Sequence, residues 1–474
     1  MQNAPSFSSK QEIAKYTAEN NVKILNLCHV PEDGRLKTLS FAATDKNRVS
    51  EILEYGERVD GSNLFSFIET GKSDIYIMPR ADRAFVNPFA GVPTLNVMCD
   101  YLDEHGKLLD VAPKTVLLRA EDKLFGSQGV VLRALAELEF YVMARLEGEP
   151  AFAVAADRGY HESAPFARFE GLRNEVLATL ANVGVATKYG HNEVGSVCGK
   201  DNVLMEQQEI EFLPDCLADM AETVAVAKWV VRNVCAKYGV SVSFSPKVAL
   251  EHAGSGMHVH LCVLRNGVNV VADGDGGLSA DGLKVIGGLL KFARGLSAFG
   301  NTVPVSYLRF AAHKESPMHV CWSGRNRLAL VRVPLWWSFK RESADRGGCR
   351  ETVEFRGPDP LANVYLLFAG LALAVEYGLT NSQEALRIAE VLHVEEGGRK
   401  RKGALKSLPL SCGEAAGFLL RDRRFYEAGG VFPKVLVDKT VERLRACRDW
   451  GLLKDLADKP AKAEGILKQY LHCG

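Results

Sequence analysis

The sequence lacks the marks of several function classes. It has no Cys-x-x-Cys pair, although eleven cysteines are scattered along its 474 residues. Their number is odd, and Cys99, Cys235 and Cys262 sit in apolar runs, where a thiol packs as a small hydrophobe. This argues against a disulfide framework and zinc–thiolate centres, and for a reducing compartment. No GxxxxGK[ST] loop and no GxGxxG turn occurs, so a nucleotide, if bound, is held by neither common device. Net charge is absent too: 58 Lys+Arg balance 58 Asp+Glu, leaving no global field for nucleic acid or an anionic membrane. The basic run at 399–402 reads as a surface loop. No apolar run reaches membrane-spanning length, and the polar opening MQNAPSFSSKQEIAKY has no signal-peptide core. A cytoplasmic protein with no nucleic-acid and no membrane partner is expected. There is no internal repeat and no low-complexity tract. The length exceeds one ordinary core and implies two domains, or one large domain with an extension.

What is present alternates strands and helices. A helix over 8–20 is capped by Ser9, with Glu12 at capping-box spacing. Strands over 22–30 and 35–41 flank the turn Pro31-Glu32-Asp33-Gly34 and predict a hairpin. A helix over 46–56, a polar loop over 56–63 and strands over 73–79 and 94–101 complete a small domain, 1–112. The second domain, 113–474, opens with a helix whose Pro113 lies in the first turn, where a missing N–H costs nothing. Strands follow over 132–146, 188–194, 203–212, 240–248 and 258–263, with helices over 166–184, 219–238, 281–299 and 363–377. Residues 307–309 and 315–317 fall in a loop, and a strand is expected within 323–334. Beyond about 381 the chain is helical with loops. The fold class is α+β.

Chemistry-bearing residues recur on these strands. Glu137 and Glu139 are two apart, so they share one strand face. They are either a solvated polar edge or a pair of hard oxygen ligands. Glu193 and Glu209 fall on two arms of a hairpin, where facing carboxylates repel unless a cation lies between them. Glu206 and Glu211 flank Glu209. The stretch Gly254-Ser255-Gly256-Met257-His258-Val259-His260 puts two imidazoles on one face behind a turn that lets backbone approach a ligand. Glu354 and Arg356 share a face, and Arg325, Arg327 and Arg332 are either surface charges or, for Arg327 and Arg332 near an acidic metal site, phosphate ligands. Glutamates with one imidazole favour Mg²⁺ or Mn²⁺. Paired divalent ions with arginines suit phosphoryl transfer. Asp60, in the polar loop, reads as an ordinary turn or cap residue.

Set in order, these fragments resemble glutamine synthetase of the bacterial class over about 20–375. The resemblance runs through Asp60-Gly61-Ser62, Glu137-Leu138-Glu139-Phe140, His191-Asn192-Glu193-Val194, Gln207-Gln208-Glu209-Ile210, the Gly254–His260 stretch, Arg309, Glu315-Ser316-Pro317, Arg325-Asn326-Arg327 and Glu354-Phe355-Arg356-Gly357-Pro358-Asp359. It implies an N-terminal β-grasp domain and a catalytic domain on a curved antiparallel sheet. It also implies a ring-shaped homo-oligomer, hexamer or dodecamer, with each site shared between subunits. By resemblance, Glu139, Glu193 and Glu209 hold one metal ion, and Glu137, His258 and Glu354 a second. Arg309 and Gly254 contact glutamate, and His260 and Arg332 contact ATP. Arg327 and Arg356 steady the phosphoryl group, Asp60 of the adjacent subunit deprotonates ammonium, and Glu315 shields the intermediate. The implied reaction joins ammonium to glutamate through γ-glutamyl phosphate, at the cost of ATP.

Three departures stand out. Ala253 replaces the family's usual Asn, removing one side-chain hydrogen bond to the amino-acid substrate. The hairpin between Glu193 and Glu209 is longer than usual. Lys406 replaces the tyrosine that some bacterial members adenylylate, so adenylylation control is not expected. Alternative readings are a γ-glutamyl ligase for an organic amine, and a catalytically silent scaffold or nitrogen sensor. A silent protein has no physical need to keep so many like charges together.

Overall fold

The computed structural model describes residues 5–148, 152, 155–199, 202–273, 276–311, 316–336, 349–395, 405–452 and 460–474. Its first sheet joins β1 (Ile24–His29), β2 (Lys37–Ala42), β3 (Glu57–Asp60), β4 (Asp74–Val86) and β5 (Thr94–Leu102) in the order β2-β1-β5-β4-β3. β1 pairs antiparallel with β2, as the hairpin reading requires, and parallel with β5. Ile13, Val49 and Ile52, from helices Lys10–Glu19 and Lys46–Tyr55, join Leu25, Ile77 and Val97 in a core of their own. Ser9 caps the first helix by accepting from Glu12 N–H at 3.2 Å. The Glu12 carboxylate takes the Ser8 N–H at 2.7 Å and also interacts with the Ser9 backbone N–H. The loop expected at 56–63 is in part the edge strand β3, paired with β4.

The second sheet follows the path β13 (Trp322–Gly324), β14 (Val331–Val333), β15 (Val353–Phe355), β11 (Met257–Arg265), β6 (Val130–Arg145), β8 (Val203–Phe212), β7 (Thr187–Cys198). Short strands β9 (Asp215–Cys216), β10 (Ser241–Ser243) and β12 (Val268–Asn269) pair off this path. All pairings in it are antiparallel except β13–β14. The large core takes Leu138, Phe140 and Val259 from the sheet. It takes Val230, Leu289 and Leu371 from helices Leu217–Lys237, Ala280–Gly300 and Val364–Thr380. Cys28, Val30, Phe85 and Met98 of the first sheet also enter this core, so the two cores meet. Ion pairs cross the same seam: Lys114 reaches Asp100 at 2.7 Å, Arg83 reaches Asp219 at 2.7 Å, and Arg80 pairs with Glu222, which Lys114 also meets at 3.1 Å from its own side.

Several element bounds differ from expectation. The strand at 240–248 is only Ser241–Ser243. Pro246 has no N–H to donate to a ladder, and Ser245 Oγ donates to the Lys247 carbonyl instead. The helix expected from 166 begins at Glu170. Tyr307, Leu308 and Arg309 lie on the helix Pro304–Ala311, where Val305 and Leu308 are buried, and not in a loop. The strand expected within 323–334 is two three-residue strands, β13 and β14, running parallel. No single helix among the described residues is long and apolar enough to cross a membrane.

Candidate active site

Strand alternation and register assemble the site. Arg332 stands opposite Glu354, and Glu354 opposite His260. His258 stands opposite Glu137, Glu137 opposite Glu211, and Glu139 and His191 both opposite Glu209. Residues from β14, β15, β11, β6, β8 and β7 thus converge on one face. All but Glu354, which is fully buried behind them, line a cavity of about 660 Å³, together with Gly254, Arg309, Arg327 and Arg356.

Two knots of donor atoms lie in this cavity. In one, Glu137, His260 and Glu354 each bring an atom within 4.8 Å of the others. Glu137 accepts from both imidazoles: Oε2 lies 2.6 Å from His258 Nδ1, and Oε1 2.9 Å from His260 Nε2. His260 Nδ1 is also 3.0 Å from Thr352 Oγ1, and His258 Nδ1 is 3.8 Å from Glu354 Oε1. Glu354 is fully buried, which alone would raise it, yet the Arg356 guanidinium beside it brings it down to about 2. Arg332 Nη1 donates to its other oxygen at 2.7 Å. Burial, then Arg356, lowers His258 to about 4, so its imidazole is neutral, the form that binds metal. Burial acts the same way on His260, but Glu137 outweighs it and raises that ring.

In the other knot, His191, Glu193 and Glu209 lie within 4.8 Å of one another. His191 Nε2 is 3.1 Å from Glu209 Oε1, and its Nδ1 is 2.8 Å from the Asn192 carbonyl. Glu139 stands opposite Glu209 but outside this trio, and Gln207 Nε2 and Gly256 N–H each donate to its Oε2 at 2.9 Å. Burial raises Glu139 to about 7 against the pull of Arg309. Burial raises Glu193 to about 9, with Glu139 and Glu209 adding to it, and Glu209 is raised likewise. Carboxylates driven this far up by burial and by one another form an oxygen-rich donor set, which fits a hard divalent cation.

The glycines of the Gly-Ser-Gly turn serve a neighbour more than a ligand. A Cβ on Gly256 would fall 2.5 Å from Arg309 Nη2, and one on Gly254 would fall 2.6 Å from the Pro246 carbonyl. The space at Gly254 takes the stem of Arg309, and that at Gly256 takes its guanidinium. Its Nη1 donates to the carbonyls of Gly357 and Pro358 at 3.0 Å, and its Nη2 to the Arg356 carbonyl at 3.2 Å and toward His258 Nε2 at 3.3 Å. Arg356 donates through Nε to the Arg327 carbonyl at 3.0 Å and through Nη1 to Glu354. Asp60 does not line this cavity within its own chain. It caps a turn, accepting from Ser62 N–H at 2.9 Å and from the Asn63 amide at 2.6 Å. Glu315, and the basic run at 399–402, lie outside the described residues. Sequence reasoning gave no role to Gln207, His191, Lys188 or Tyr189. Gln207 and Glu211 sit two residues either side of Glu209, so the period-2 signal for both was present.

A family model described as the glutamine synthetase catalytic domain matches residues 110–449, and one described as the glutamine synthetase beta-Grasp domain matches 21–104. Glutamine synthetase of Thermotoga maritima is 30% identical over 446 residues, covering 93% of this chain and 95% of the relative. That of Escherichia coli is 29% identical over 470 residues, covering 91% and 94%. Among solved structures, a Plasmodium falciparum glutamine synthetase aligns with a TM-score of 0.79 at 18% identity, covering 94% of this chain and 97% of that one. An apo GmaS gives 0.73 at 21% identity, covering 94% and 96%. The structural likenesses show a shared fold, and the two family models add the sequence evidence: this chain belongs to the glutamine synthetase family.

Proposed function

We propose that this chain joins ammonium to the γ-carboxylate of L-glutamate at the expense of ATP, forming L-glutamine, ADP and phosphate. The observation that carries the reading is the pair of donor knots on one cavity face, flanked by Arg309, Arg327, Arg332 and Arg356. The full-length resemblance to enzymes named glutamine synthetase supports it.

Glu139, Glu193 and Glu209 would hold one Mg²⁺ or Mn²⁺. Glu137, His258 and Glu354 would hold the second, and the neutral imidazole of His258 favours it over His260 as the nitrogen ligand. When bound, such ions neutralise phosphate oxygens and fix their line of transfer. Arg332 and His260 are assigned to the nucleotide, and Gly254 and Arg309 to glutamate. Arg309 would release His258 to take the α-carboxylate. A γ-carboxylate oxygen attacks the terminal phosphorus of ATP, the bond to the bridging oxygen breaks, and ADP leaves. Arg327 and Arg356 offset the charge in transit. Ammonium loses a proton to Asp60 of an adjacent copy, ammonia attacks the acyl carbon, the added nitrogen gives its surplus proton to Glu315, and phosphate departs with that carboxylate oxygen. Glu315 is assigned the shielding of the acyl phosphate from water.

We assign 1–112 to the β-grasp domain and 113–474 to the catalytic domain, and we place a ring-shaped homo-oligomer, hexamer or dodecamer, in the cytoplasm. Phosphate release should require glutamate, ATP and ammonium together; release that persists without glutamate contradicts the reading. A second reading, an organic amine as acceptor, is favoured by Ala253, which lines the cavity with no polar side chain and whose carbonyl is taken by Tyr141 Oη at 2.8 Å. A panel of amines decides it: turnover with an amine and none with ammonium selects the second reading.

A further inference from the structure

The pairing of β7 with β8 is interrupted beside the cavity. Asn192 stands opposite Gln208 and Ser196 opposite Glu206, so Glu193, Val194 and Gly195 are left against Gln207 alone. A bulge of this kind bends its strand and leaves N–H groups without ladder partners. A buried N–H needs an acceptor, and Gly195 finds one in a side chain: Gln207 Oε1 accepts from it at 3.0 Å. The bulge begins at Glu193, so this bond sets how that carboxylate stands over β8.

Gln207 is 1% exposed and uses both ends of its amide. Its Nε2 donates to Glu139 Oε2 at 2.9 Å and to the Gly254 carbonyl at 3.0 Å, and lies 3.3 Å from Ser255 Oγ. One planar group therefore ties three separate pieces: the β7 bulge, Glu139 on β6, and the turn before β11. Tyr141, opposite Gln207 on β6, backs the same bulge. A Cβ on Gly195 would fall 1.9 Å from Tyr141 Oη, and that hydroxyl donates to the Ala253 carbonyl at 2.8 Å. Two consequences follow for the cavity. Glu139 Oε2 is taken by Gln207 and by Gly256 N–H, so Oε1 is the oxygen left to meet a cation. A carbonyl accepts two hydrogen bonds, so Gly254 keeps one lone pair for a substrate amino group.

We propose that Gln207 is a positioning residue that fixes Glu193, Glu139 and the Gly254 carbonyl in one geometry, so that loss of its amide weakens cation and glutamate binding together. This rests on the two-cation ligase reading of the cavity. The test is equilibrium Mn²⁺ binding to the full chain, read by electron paramagnetic resonance of the free ion, with steady-state ADP release alongside. The Mn²⁺ lost in Glu209→Gln identifies the class held with Glu139 and Glu193. Gln207→Met fills similar space without donor or acceptor. It should weaken that class about tenfold or more and leave the other within about twofold. Glutamate KM should rise about tenfold or more, with ATP KM within about twofold. A merely structural role would move both Mn²⁺ classes or neither. Gln207→Glu keeps the acceptor for Gly195 but sets an oxygen against the Gly254 carbonyl, and should raise glutamate KM likewise. Thermal melts show which variants are folded, and Gln207→Glu tests the role even if Gln207→Met fails that check. If wild type binds both Mn²⁺ classes and the folded variants leave Mn²⁺ affinity and glutamate KM unchanged, the positioning role is overturned and the ligase reading stands. If wild type binds neither class, the ligase reading falls and the positioning role with it.

Discussion

Residue chemistry at this site is governed by like charges held close. Glu139, Glu193 and Glu209 face one another with Arg309 as the nearest offset to Glu139. Glu193 is raised to about 9 by burial and by its two neighbours. A carboxyl raised on folding binds more protons folded than unfolded, so the stability it allows at low pH is lost as pH rises through the folded value. Metal-free protein should therefore melt at a progressively lower temperature between about pH 5 and about pH 9. Added Mg²⁺ should flatten that slope by replacing the lost protons. Melting curves in chelator and in Mg²⁺ check this, and a metal-free midpoint that rises with pH contradicts it. The same crowding makes Glu209→Gln a gain in metal-free stability and a loss in turnover; a variant less stable than wild type in chelator would show that repulsion is not the dominant effect.

At the scale of elements, the sheet converts sequence period into site geometry. Alternation alone placed Glu137 with Glu139 and His258 with His260, and both pairs face the cavity. The elements were legible where periodicity was strong: β8 and the helix Val364–Thr380 fall close to expectation. They were not legible where tertiary contacts decide. The helix carrying Arg309 is eight residues long, and the strands near Arg327 and Arg332 are three residues each, too short to show a period. The Gly-Ser-Gly turn reads in sequence as room for a ligand, but its nearest occupant is Arg309, a contact 53 residues away for Gly256 that no local pattern encodes. Gly256→Ala should displace that guanidinium. It should cost about 1–3 kcal/mol of stability and on the order of 100-fold in kcat/KM, read by denaturant unfolding and by ADP release. An active, stable variant would show that the guanidinium does not need that space.

Across the whole molecule, two sheets are joined at a seam that is both apolar and charged. Glu222, 3% exposed, receives Arg80 from across it and Lys114 from its own side. Glu222→Ala leaves Lys114 with Asp100 and Arg80 with Asp82, and should destabilise the chain by about 1–3 kcal/mol in denaturant unfolding. A loss under about 1 kcal/mol would make the network ornamental. Assembly supplies a second test. Asp60 caps a turn outside its own cavity, so its assigned role requires a neighbour. Asp60→Asn and Glu209→Gln should each be inactive, and mixed oligomers of the two should recover about a quarter of wild-type activity. Mixtures as inactive as the separate variants would place Asp60 outside the reaction.

The central claim is that a glutamate oxygen passes to phosphate through an acyl phosphate. Its most direct measurement uses glutamate labelled with ¹⁸O in the γ-carboxylate, with ATP, ammonium and Mg²⁺, and reads the released phosphate by mass spectrometry. One labelled oxygen in each phosphate is the predicted result. Unlabelled phosphate, its new oxygen drawn from water, would contradict the account.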